Sequence, residues 1–311
     1  PDAPPAAAAV PRAVACPAAT VRVATAARLT RALAAARPGS SIRLADGFYR
    51  GRFVLRAGGR PGAPVHLCGG PRAVLDAGSA DRGQAVHVAG ASHLRLIGFT
   101  VRRGERGVLV ERARDVVMHG LRVESSGAEG IRLRRFATDN VVQDSTVHGT
   151  GRRRPARGYG VQIGTAKAQW CLVSACRPDS SDRNVVRYNH IAGTTAESVD
   201  VREGTSGGAV VGNTFDGARL AAAYADSWVD VGGNAWLVRG NRGRRSVGDG
   251  FQTHQAAAGW GRGNVFAGNS ARVDGPGWGF HMAPVLDNLV VCDNDSRGAR
   301  KGLANITCTP G

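Results

Sequence analysis

One short phrase recurs along this chain from about residue 94 onward. Each copy contains a few apolar, mostly β-branched residues and ends in a small or polar residue, most often Asn or Gly. The copies occupy 94–98, 116–120, 141–145, 185–189, 209–213, 237–241, 265–269 and 289–294. Repeats of this length, each with a short strand-forming run, are typical of a solenoid whose coils stack on one another. A solenoid has no central cleft, so we expect any chemistry on an outer face, at equivalent positions of successive coils.

A second strand follows the first in each repeat, with a small or polar residue before an apolar, variable, apolar pattern. Strand alternation turns the apolar residues inward and the variable residue outward. Stacked coils lie about 4.8 Å apart, so the variable residues should form a column. That column contains Leu109, Arg132, Gln162, Asp200, Asp230, Gln252 and His281. The next outward column contains Glu111, Arg134, Gly164, Arg202, Gly232, His254 and Ala283.

Three extra segments interrupt the middle coils, at 149–159, 164–182 and 216–227. Insertions on one face of a solenoid usually form the walls of a binding cleft. The groove over coils 130–281 is therefore the predicted site. Several tryptophans lie near these segments, where they would either stack on sugar rings or pack at coil corners; they are Trp170, Trp228, Trp260 and Trp278.

The remaining segments predict a single all-β domain over 16–311, preceded by a disordered Pro/Ala-rich leader over 1–15. Apolar residues in 26–37 have helical spacing, and the segment ends before Pro38 and Gly39. Such a helix would cap the open end of the first coil, which otherwise exposes an unpaired strand edge. The Asn ladder, which consists of Asn189, Asn213, Asn241, Asn269 and Asn294, is predicted to be structural. Asn at a repeated corner can bond to backbone groups and tolerates a left-handed conformation.

The formal net charge of +17 favours a polyanionic ligand. An acidic polysaccharide and a nucleic acid would both fit, although the arginines would also be explained by a GC-rich genome that replaces Lys with Arg. Aromatic RNA-binding motifs, helix-turn-helix patterns and zinc-finger spacings are all missing from the sequence. We therefore expect an acidic polysaccharide and no nucleic acid as partner, and a monomer by default.

The six cysteines do not form metal-binding signatures. Their even number, with one close pair and a pair near each chain end, predicts disulfides in an oxidising, extracellular setting. The predicted pairs are Cys16–Cys68, Cys171–Cys176 and Cys292–Cys308. No apolar stretch is long enough to cross a membrane. The start of the chain resembles a mature protein whose signal peptide has been removed.

This organisation resembles the right-handed parallel β-helix proteins of the pectin-lyase-like superfamily over nearly the whole chain. The segment 38–51, PGSSIRLADGFYRG, looks like the first-coil phrase of polysaccharide lyase family 6, which includes chondroitinase B and alginate lyases. In that family a calcium-binding Glu precedes the catalytic Lys by five residues, positions that Glu197 and Arg202 take here. The chain departs from the family at Thr195, where a further Glu is usual, and in having Arg in place of Lys.

The resemblance implies a single-stranded right-handed β-helix that cleaves a uronate-containing glycan by β-elimination. That reaction needs a group that neutralises the carboxylate, a base for the C5 proton and an acid for the O4 leaving group. Arg202 suits the carboxylate, because its planar fork matches one, and would act as a base only if strongly desolvated. The predicted catalytic residues are Arg202, His254 and Tyr159, with Tyr159 as base or acid. The predicted substrate-binding residues are Arg132, Arg134, Gln162, Gln252, His281 and Trp228.

Three alternatives stay open at this stage. Glu197, Asp200 and Asp230 would suit a calcium site, because carboxylates on adjacent rungs repel one another unless a cation lies between them. The same Asp pair, or Asp249 at a coil corner, would suit a glycoside hydrolase. A glycan-binding β-helix without catalysis is the third possibility, and Arg202 would then only pair with a neighbouring carboxylate.

Overall fold

A computed structural model describes residues 14–311 of the chain, and all but the last two residues of the predicted leader lie outside that range. The described part is a parallel β-solenoid in which each coil contributes one strand to each of three sheets. The strands are short because each coil must turn three corners within one repeat.

The three sheets are named A, B and C in the order in which the chain meets them. Within residues 14–311, sheet A has eleven parallel strands: Val21–Val23, Ser41–Leu44, Val65–Cys68, Leu94–Ile97, Val116–His119, Val141–Gln143, Val185–Arg187, Ala209–Val211, Leu237–Arg239, Val265–Ala267 and Leu289–Val290. Sheet B has ten: Gly47–Arg50, Ala73–Asp76, Thr100–Arg102, Arg122–Glu124, Thr146–His148, His190–Ala192, Thr214–Asp216, Arg242–Arg244, Ser270–Gly275 and Asp295–Ala299. Sheet C has ten: Phe53–Leu55, Gln84–Ala89, Arg106–Glu111, Ile131–Arg134, Val161–Ile163, Val199–Val201, Val229–Val231, Phe251–His254, Trp278–Ala283 and Gly302–Ala304.

Inward-facing side chains of all three sheets form one continuous apolar core. Most coils contribute Val, Leu or Ile, and the later coils add aromatic rings. Phe251 and Phe280 stack with their ring centroids 5.2 Å apart, and Trp228 packs edge-on against Phe251. Because stacked coils repeat the same inward position, similar side chains contact one another along the axis.

The Asn ladder is structural, as predicted. Asn189 donates its backbone N–H to Oδ1 of Asn213 at 2.9 Å, and the side-chain amide of Asn213 donates to Val186 O and to Oδ1 of Asn241. The left-handed residue is not the Asn itself but the one before it, such as Gly212 with φ 64°. Each Asn of the ladder except Asn294, the last, therefore bonds to the coils on both sides of its own.

The first helix runs over Ala26–Ala34 and ends three residues before the predicted end. Thr25 begins it by accepting a hydrogen bond from the Arg28 backbone, and its Leu29 and Leu33 enter the apolar core. A short helix at Trp170–Val173 and 3₁₀ turns at Pro155–Arg157 and Lys167–Gln169 lie in the insertions. None of the helices within the described residues is long and apolar enough to span a bilayer.

All three predicted disulfides are present, joining Cys16 to Cys68, Cys171 to Cys176 and Cys292 to Cys308. The first ties the start of the described chain to sheet A, and the last ties the final residues to the last coils. The middle disulfide closes a short loop inside the insertion 164–182.

The insertion 149–159, called the 149–159 loop below, is fixed to the earlier coils. Backbone N–H groups of Arg153 and Arg154 both donate to Gly127 O. Nη2 of Arg157 lies 2.8 Å from Oε1 of Glu129, a carboxylate fully buried beneath sheet C. These bonds hold the end of the loop at a defined place beside the strand that follows it.

Candidate active site

The predicted columns exist in the strand register of sheet C. Consecutive pairings join Leu109 to Arg132, Arg132 to Gln162, Gln162 to Asp200, Asp200 to Asp230, Asp230 to Gln252 and Gln252 to His281. Glu111 pairs with Arg134, and His254 with Ala283, in the neighbouring column. Strand alternation and repeat spacing were sufficient to place these residues on one wall.

A cavity of about 180 Å³ opens over the middle of sheet C. It brings together all three predicted catalytic residues and all three predicted metal ligands. Its polar lining consists of Tyr159, Glu197, Asp200, Arg202, Glu203, Tyr224, Asp226, Asp230 and His254.

Arg202 is held at the centre of the cavity by two partners. Its Nε lies 2.8 Å from Oδ2 of Asp200, and its Nη2 donates to the phenolic oxygen of Tyr159 at 2.6 Å. Asp200 raises the pKa of Arg202 further above its already high value. Arg202 therefore remains a fixed cation, which suits a carboxylate clamp and is incompatible with a general base.

Tyr159 is a neutral phenol in this setting. Burial and the nearby charge of Asp200 raise its pKa, and the opposing effect of Arg202 is smaller. A guanidinium can only donate, so the phenolic oxygen accepts from Arg202 and its own proton points elsewhere. The geometry thus favours Tyr159 as a proton donor over a base.

Asp200 positions Arg202 and is itself positioned by a residue of the preceding coil. Nε2 of Gln162 donates to Oδ2 of Asp200 at 2.6 Å. Burial raises the pKa of Asp200, while Arg202 and Gln162 act in the opposite direction. The carboxylate is fully buried, so it serves the site from beneath.

A buried ion network lies one coil further back. Glu129 contacts Arg132, Arg106 and Arg157. Burial opposes ionisation of Glu129, but the three guanidinium groups outweigh it and lower its pKa to about 2. Burial lowers the pKa of Arg132 to about 10. Through Glu129 the network connects Arg157 of the 149–159 loop to Arg132 of the sheet C column.

Gln252 also holds another polar group, because its side-chain amide donates to Asp226. Arg132, Gln162 and Gln252 are each only 4% exposed. In the structure these three residues bond to Glu129, Asp200 and Asp226, respectively. The substrate contacts predicted for them stay predictions.

Among the carboxyl groups that line the cavity, Glu197 and Asp230 are the two whose side chains have no close hydrogen-bond or ion-pair partner within the described residues. Burial, followed by the charge of Asp200, raises the pKa of Glu197 to about 8. The same two causes raise the pKa of Asp230 well above its ordinary value, and its buried Oδ1 has no hydrogen-bond partner. Protons can therefore relieve the repulsion between these carboxyl groups.

The predicted calcium site does not fit this arrangement. Oδ2 of Asp200 is already engaged by Arg202 and Gln162, and a cation would have to lie beside the guanidinium. Within residues 14–311, no group of three or more His, Cys, Asp or Glu side chains has the arrangement of a metal site. Arg202 occupies the place of the cation that these carboxylates were expected to need.

His254 lies at the mouth of the cavity. Its side chain is 58% exposed, and its Nδ1 is 3.7 Å from Oδ2 of Asp230. That distance is longer than a hydrogen bond. One ring nitrogen thus faces a carboxyl group, and the ring itself is open to an incoming substrate.

His281, Arg134 and Asp249 lie outside the cavity. Nδ1 of His281 lies 2.8 Å from Asp249, whose other oxygen accepts from the Trp278 backbone at 2.6 Å. Arg134 pairs with Glu111 at 2.8 Å, two coils before Arg202. All three residues lie farther along the groove. His281 and Arg134 remain predicted substrate contacts there, whereas Asp249 was considered only for a hydrolase.

The sugar contact predicted for Trp228 is wrong. Trp228 is 0% exposed, because the strand register turns it into the apolar core beside Phe251. It directly precedes the strand Val229–Val231, and small residues such as Gly243 leave room for its ring. A buried ring cannot stack on a substrate.

Several lining residues were not predicted individually. Tyr224 and Asp226 come from the insertion 216–227, which was recognised as a cleft wall without any of its side chains being assigned. Glu203 follows Arg202 directly, and its Oε1 accepts from the Lys167 backbone at 2.7 Å. Their positions depend on loop conformation, which the repeat pattern does not specify.

The fold can be compared with solved structures. An alginate lyase from Paenibacillus sp. str. FPU-7 is 30% identical, with a TM-score of 0.84 over 91% of this chain and 96% of that one. Pectate lyase Pel9A is 16% identical, with a TM-score of 0.58 over 86% and 73%. A mannuronic acid specific polysaccharide family 6 lyase from human gut microbiota is 13% identical, with a TM-score of 0.57 over 91% and 67%. No protein-family model and no curated protein matches the chain.

The likenesses at 16% and 13% identity show a shared parallel β-helix and no more. The likeness to the Paenibacillus enzyme extends over nearly the whole of both chains at 30% identity. The chain is a pectin-lyase-like parallel β-helix and belongs to the same polysaccharide lyase family as that enzyme.

Proposed function

We propose that this protein is a secreted lyase that cleaves a uronate-containing polysaccharide by β-elimination at the cavity over sheet C. The observation that carries the proposal is the 2.6 Å contact between Nη2 of Arg202 and the phenolic oxygen of Tyr159. A cation beside a neutral phenol supports the proposal, because the uronate needs a group that binds its carboxylate and the leaving group needs a proton.

Arg202 binds the uronate carboxylate in this mechanism. Neutralising that carboxylate makes the adjacent C5 proton more acidic, because the negative charge that develops on the carboxyl group is stabilised. Asp200 keeps the guanidinium in place, so little reorganisation is needed when the substrate arrives. The planar guanidinium can face a carboxylate in a bidentate manner.

His254 takes the C5 proton, and Tyr159 gives its phenolic proton to O4. The electron pair of the broken C5–H bond forms a C4–C5 double bond, and the C4–O4 bond breaks. O4 leaves as a hydroxyl group after receiving the Tyr159 proton. A proton exchange between the two side chains and water restores the starting state.

Alginate is the first substrate to test. The relative at 30% identity is an alginate lyase, and a mannuronic acid specific lyase shares the fold. The net charge of +17 also favours a polyanionic chain. Secretion is supported by the three disulfides, which form in oxidising compartments.

The hydrolase alternative has less support. A glycosidase needs one carboxylic acid and one carboxylate facing the scissile bond. Asp249 has both oxygens engaged, by His281 and by the Trp278 backbone, and Asp200 is bound by Arg202. Glu197 and Asp230 share the cavity, but burial raises the pKa of both, so neither readily supplies the ionised carboxylate that the pair requires.

The deciding experiment incubates the protein with alginate, polygalacturonate and sulfated glycans, with and without a chelator. A lyase releases unsaturated products that absorb in the ultraviolet, whereas a hydrolase releases reducing ends alone. Loss of the ultraviolet signal in Tyr159→Phe, with folding intact, would support the assignment. Reducing ends without ultraviolet absorption would overturn it, and binding without any product would favour the non-catalytic alternative.

A further inference from the structure

A second and larger cavity lies at the corner between sheets B and C. Its volume is about 790 Å³, against about 180 Å³ for the active-site cavity. Tyr159, Arg202 and His254 do not line it. Five arginines line it together with only two carboxylates, Asp81 and Glu124; the arginines are Arg102, Arg103, Arg152, Arg153 and Arg219.

The walls of this second cavity are built from two segments that are far apart in sequence. One wall is 78–81 and the other is 149–153, the first half of the 149–159 loop. Ala80 packs directly on Gly127, where any side chain would collide with the Ala80 carbonyl. Arg153 joins the walls through an ion pair with Asp81 at 3.1 Å. The cavity is thus formed by the fold itself.

Two of the five arginines are fixed at the floor. Arg102 and Arg103 both pair with Asp76, which is 1% exposed, while each guanidinium side chain stays 34% exposed. Arg102 donates through Nε, and Arg103 through Nε and Nη2. Other N–H groups of both side chains remain available to a ligand. Such preorganised donors lose little conformational freedom on binding.

Arg152 and Arg219 supply the unpaired part of the positive charge. Both are exposed and, among the described residues, neither side chain has an ion-pair or hydrogen-bond partner. They come from the insertions 149–159 and 216–227, and these same insertions contribute Tyr159, Tyr224 and Asp226 to the active-site cavity. One pair of insertions therefore borders both cavities.

We propose that this cavity is a second binding site for the carboxylate groups of an acidic polysaccharide, separate from the catalytic cavity. Its planar donors suit carboxylates, which can accept two parallel N–H bonds from one guanidinium. Aromatic rings, on which nucleic acid bases stack, are missing from its lining. The choice of a uronate chain rests on the proposed function, and the site would hold a polymer whose other units reach the catalytic cavity.

The test measures binding in a Tyr159→Phe background, so that turnover does not consume the ligand. Affinity for long alginate chains and for an alginate trisaccharide is compared by calorimetry before and after Arg152→Ala and Arg219→Ala are introduced together. We expect polymer affinity to fall about tenfold or more, as for the loss of two charge-assisted contacts. Trisaccharide affinity should stay within about twofold, because a short ligand that occupies the catalytic cavity has few units left for the second one.

The matched control removes two exposed arginines outside both cavities, Arg239 and Arg242, as Arg239→Ala with Arg242→Ala. This variant has the same change in net charge. An equal loss of polymer affinity in both double variants would mean diffuse attraction and would overturn the site. No loss in the Arg152 and Arg219 variant would overturn it too. Rescue of affinity by Lys at both positions would support it.

Two further outcomes are distinguishable. Single-stranded DNA that competes fully with alginate for the Arg152 and Arg219 site would overturn its assignment to polysaccharide. If the unsubstituted protein releases no ultraviolet-absorbing product from any polyuronate, the proposed function fails. Polymer affinity that still depends on Arg152 and Arg219 would then support the second site independently of catalysis.

Discussion

The phenolic oxygen of Tyr159 accepts a hydrogen bond from Nη2 of Arg202 at 2.6 Å, and Nε of the same guanidinium lies 2.8 Å from Asp200. One planar group therefore links a phenol to a buried carboxylate. Tyr159 comes from the end of an insertion, whereas Arg202 and Asp200 come from a strand of sheet C. The site depends on the loop and the strand being held in register.

Tyr159→Phe should remove the proton donor and leave the ring in place. We expect kcat to fall about 10²- to 10⁴-fold, the usual contribution of general acid catalysis, with little change in KM. The measurement is the initial rate of ultraviolet product from alginate at saturating substrate. Tyr188→Phe, on the far side of the solenoid, is the control. A fall in both variants to the same extent would argue against a specific role.

Arg202→Ala should lower kcat/KM by about 10³-fold, because a fixed charge that faces the developing negative charge is lost. Arg202→Lys should lose less, since it keeps the charge but cannot contact Asp200 and Tyr159 with one planar group. Both variants are measured on alginate alongside thermal unfolding. Full activity in Arg202→Ala would exclude a carboxylate clamp.

Glu197→Gln should make stability less dependent on pH. The pKa of Glu197 is about 8 in the fold and about 4.5 ordinarily. Between these values the folded protein keeps a proton that the unfolded chain releases, so this group's contribution to stability falls as pH rises. The free energy of unfolding of the variant should exceed that of the unsubstituted protein by on the order of 2 kcal/mol near pH 9. Near pH 5 the two values should differ very little. Denaturant unfolding at both pH values checks this, and a gain of the same size at both would contradict it.

Asn213→Ala should destabilise the protein by about 2–3 kcal/mol, because two buried backbone groups of the preceding coil, the Asn189 N–H and the Val186 carbonyl, lose their partner. Asn213 bonds to Asn189, Val186 and Asn241, all buried. The control is Asn234→Ala, whose side chain bonds to Gly259 O and the Arg262 backbone at an exposed corner. Chemical denaturation should show a smaller loss for the control, under about 1 kcal/mol.

Much of the site follows from the sequence because strands have a fixed side-chain period. Once Gln162, Asp200 and Asp230 were aligned as equivalent positions, their stacking followed from coil spacing. The same alignment placed Arg202 beside the column. The disulfide pairs were also predictable, since six cysteines formed one close pair and one pair near each end.

Contacts made by the insertions were not predictable in this way. Nothing in the repeat indicates that Tyr159 reaches Arg202, or that Arg157 closes onto buried Glu129, because loop conformation is set by the completed fold. For Trp228 a specific prediction was made, and it was wrong. It lies beside an insertion and so was assigned to the groove, whereas a one-residue difference in strand position decides between groove and core.

In the Asn ladder, the Asn of one coil forms part of its hydrogen bonds with the Asn of the next coil. Asn189 finds its acceptor on Asn213, and Asn213 finds its own on Asn241. Loosening the coil that carries Asn241 would leave the preceding one with unpaired buried groups, and the disturbance would pass along the axis. The protein should therefore melt as one cooperative unit across these coils, without fraying one coil at a time.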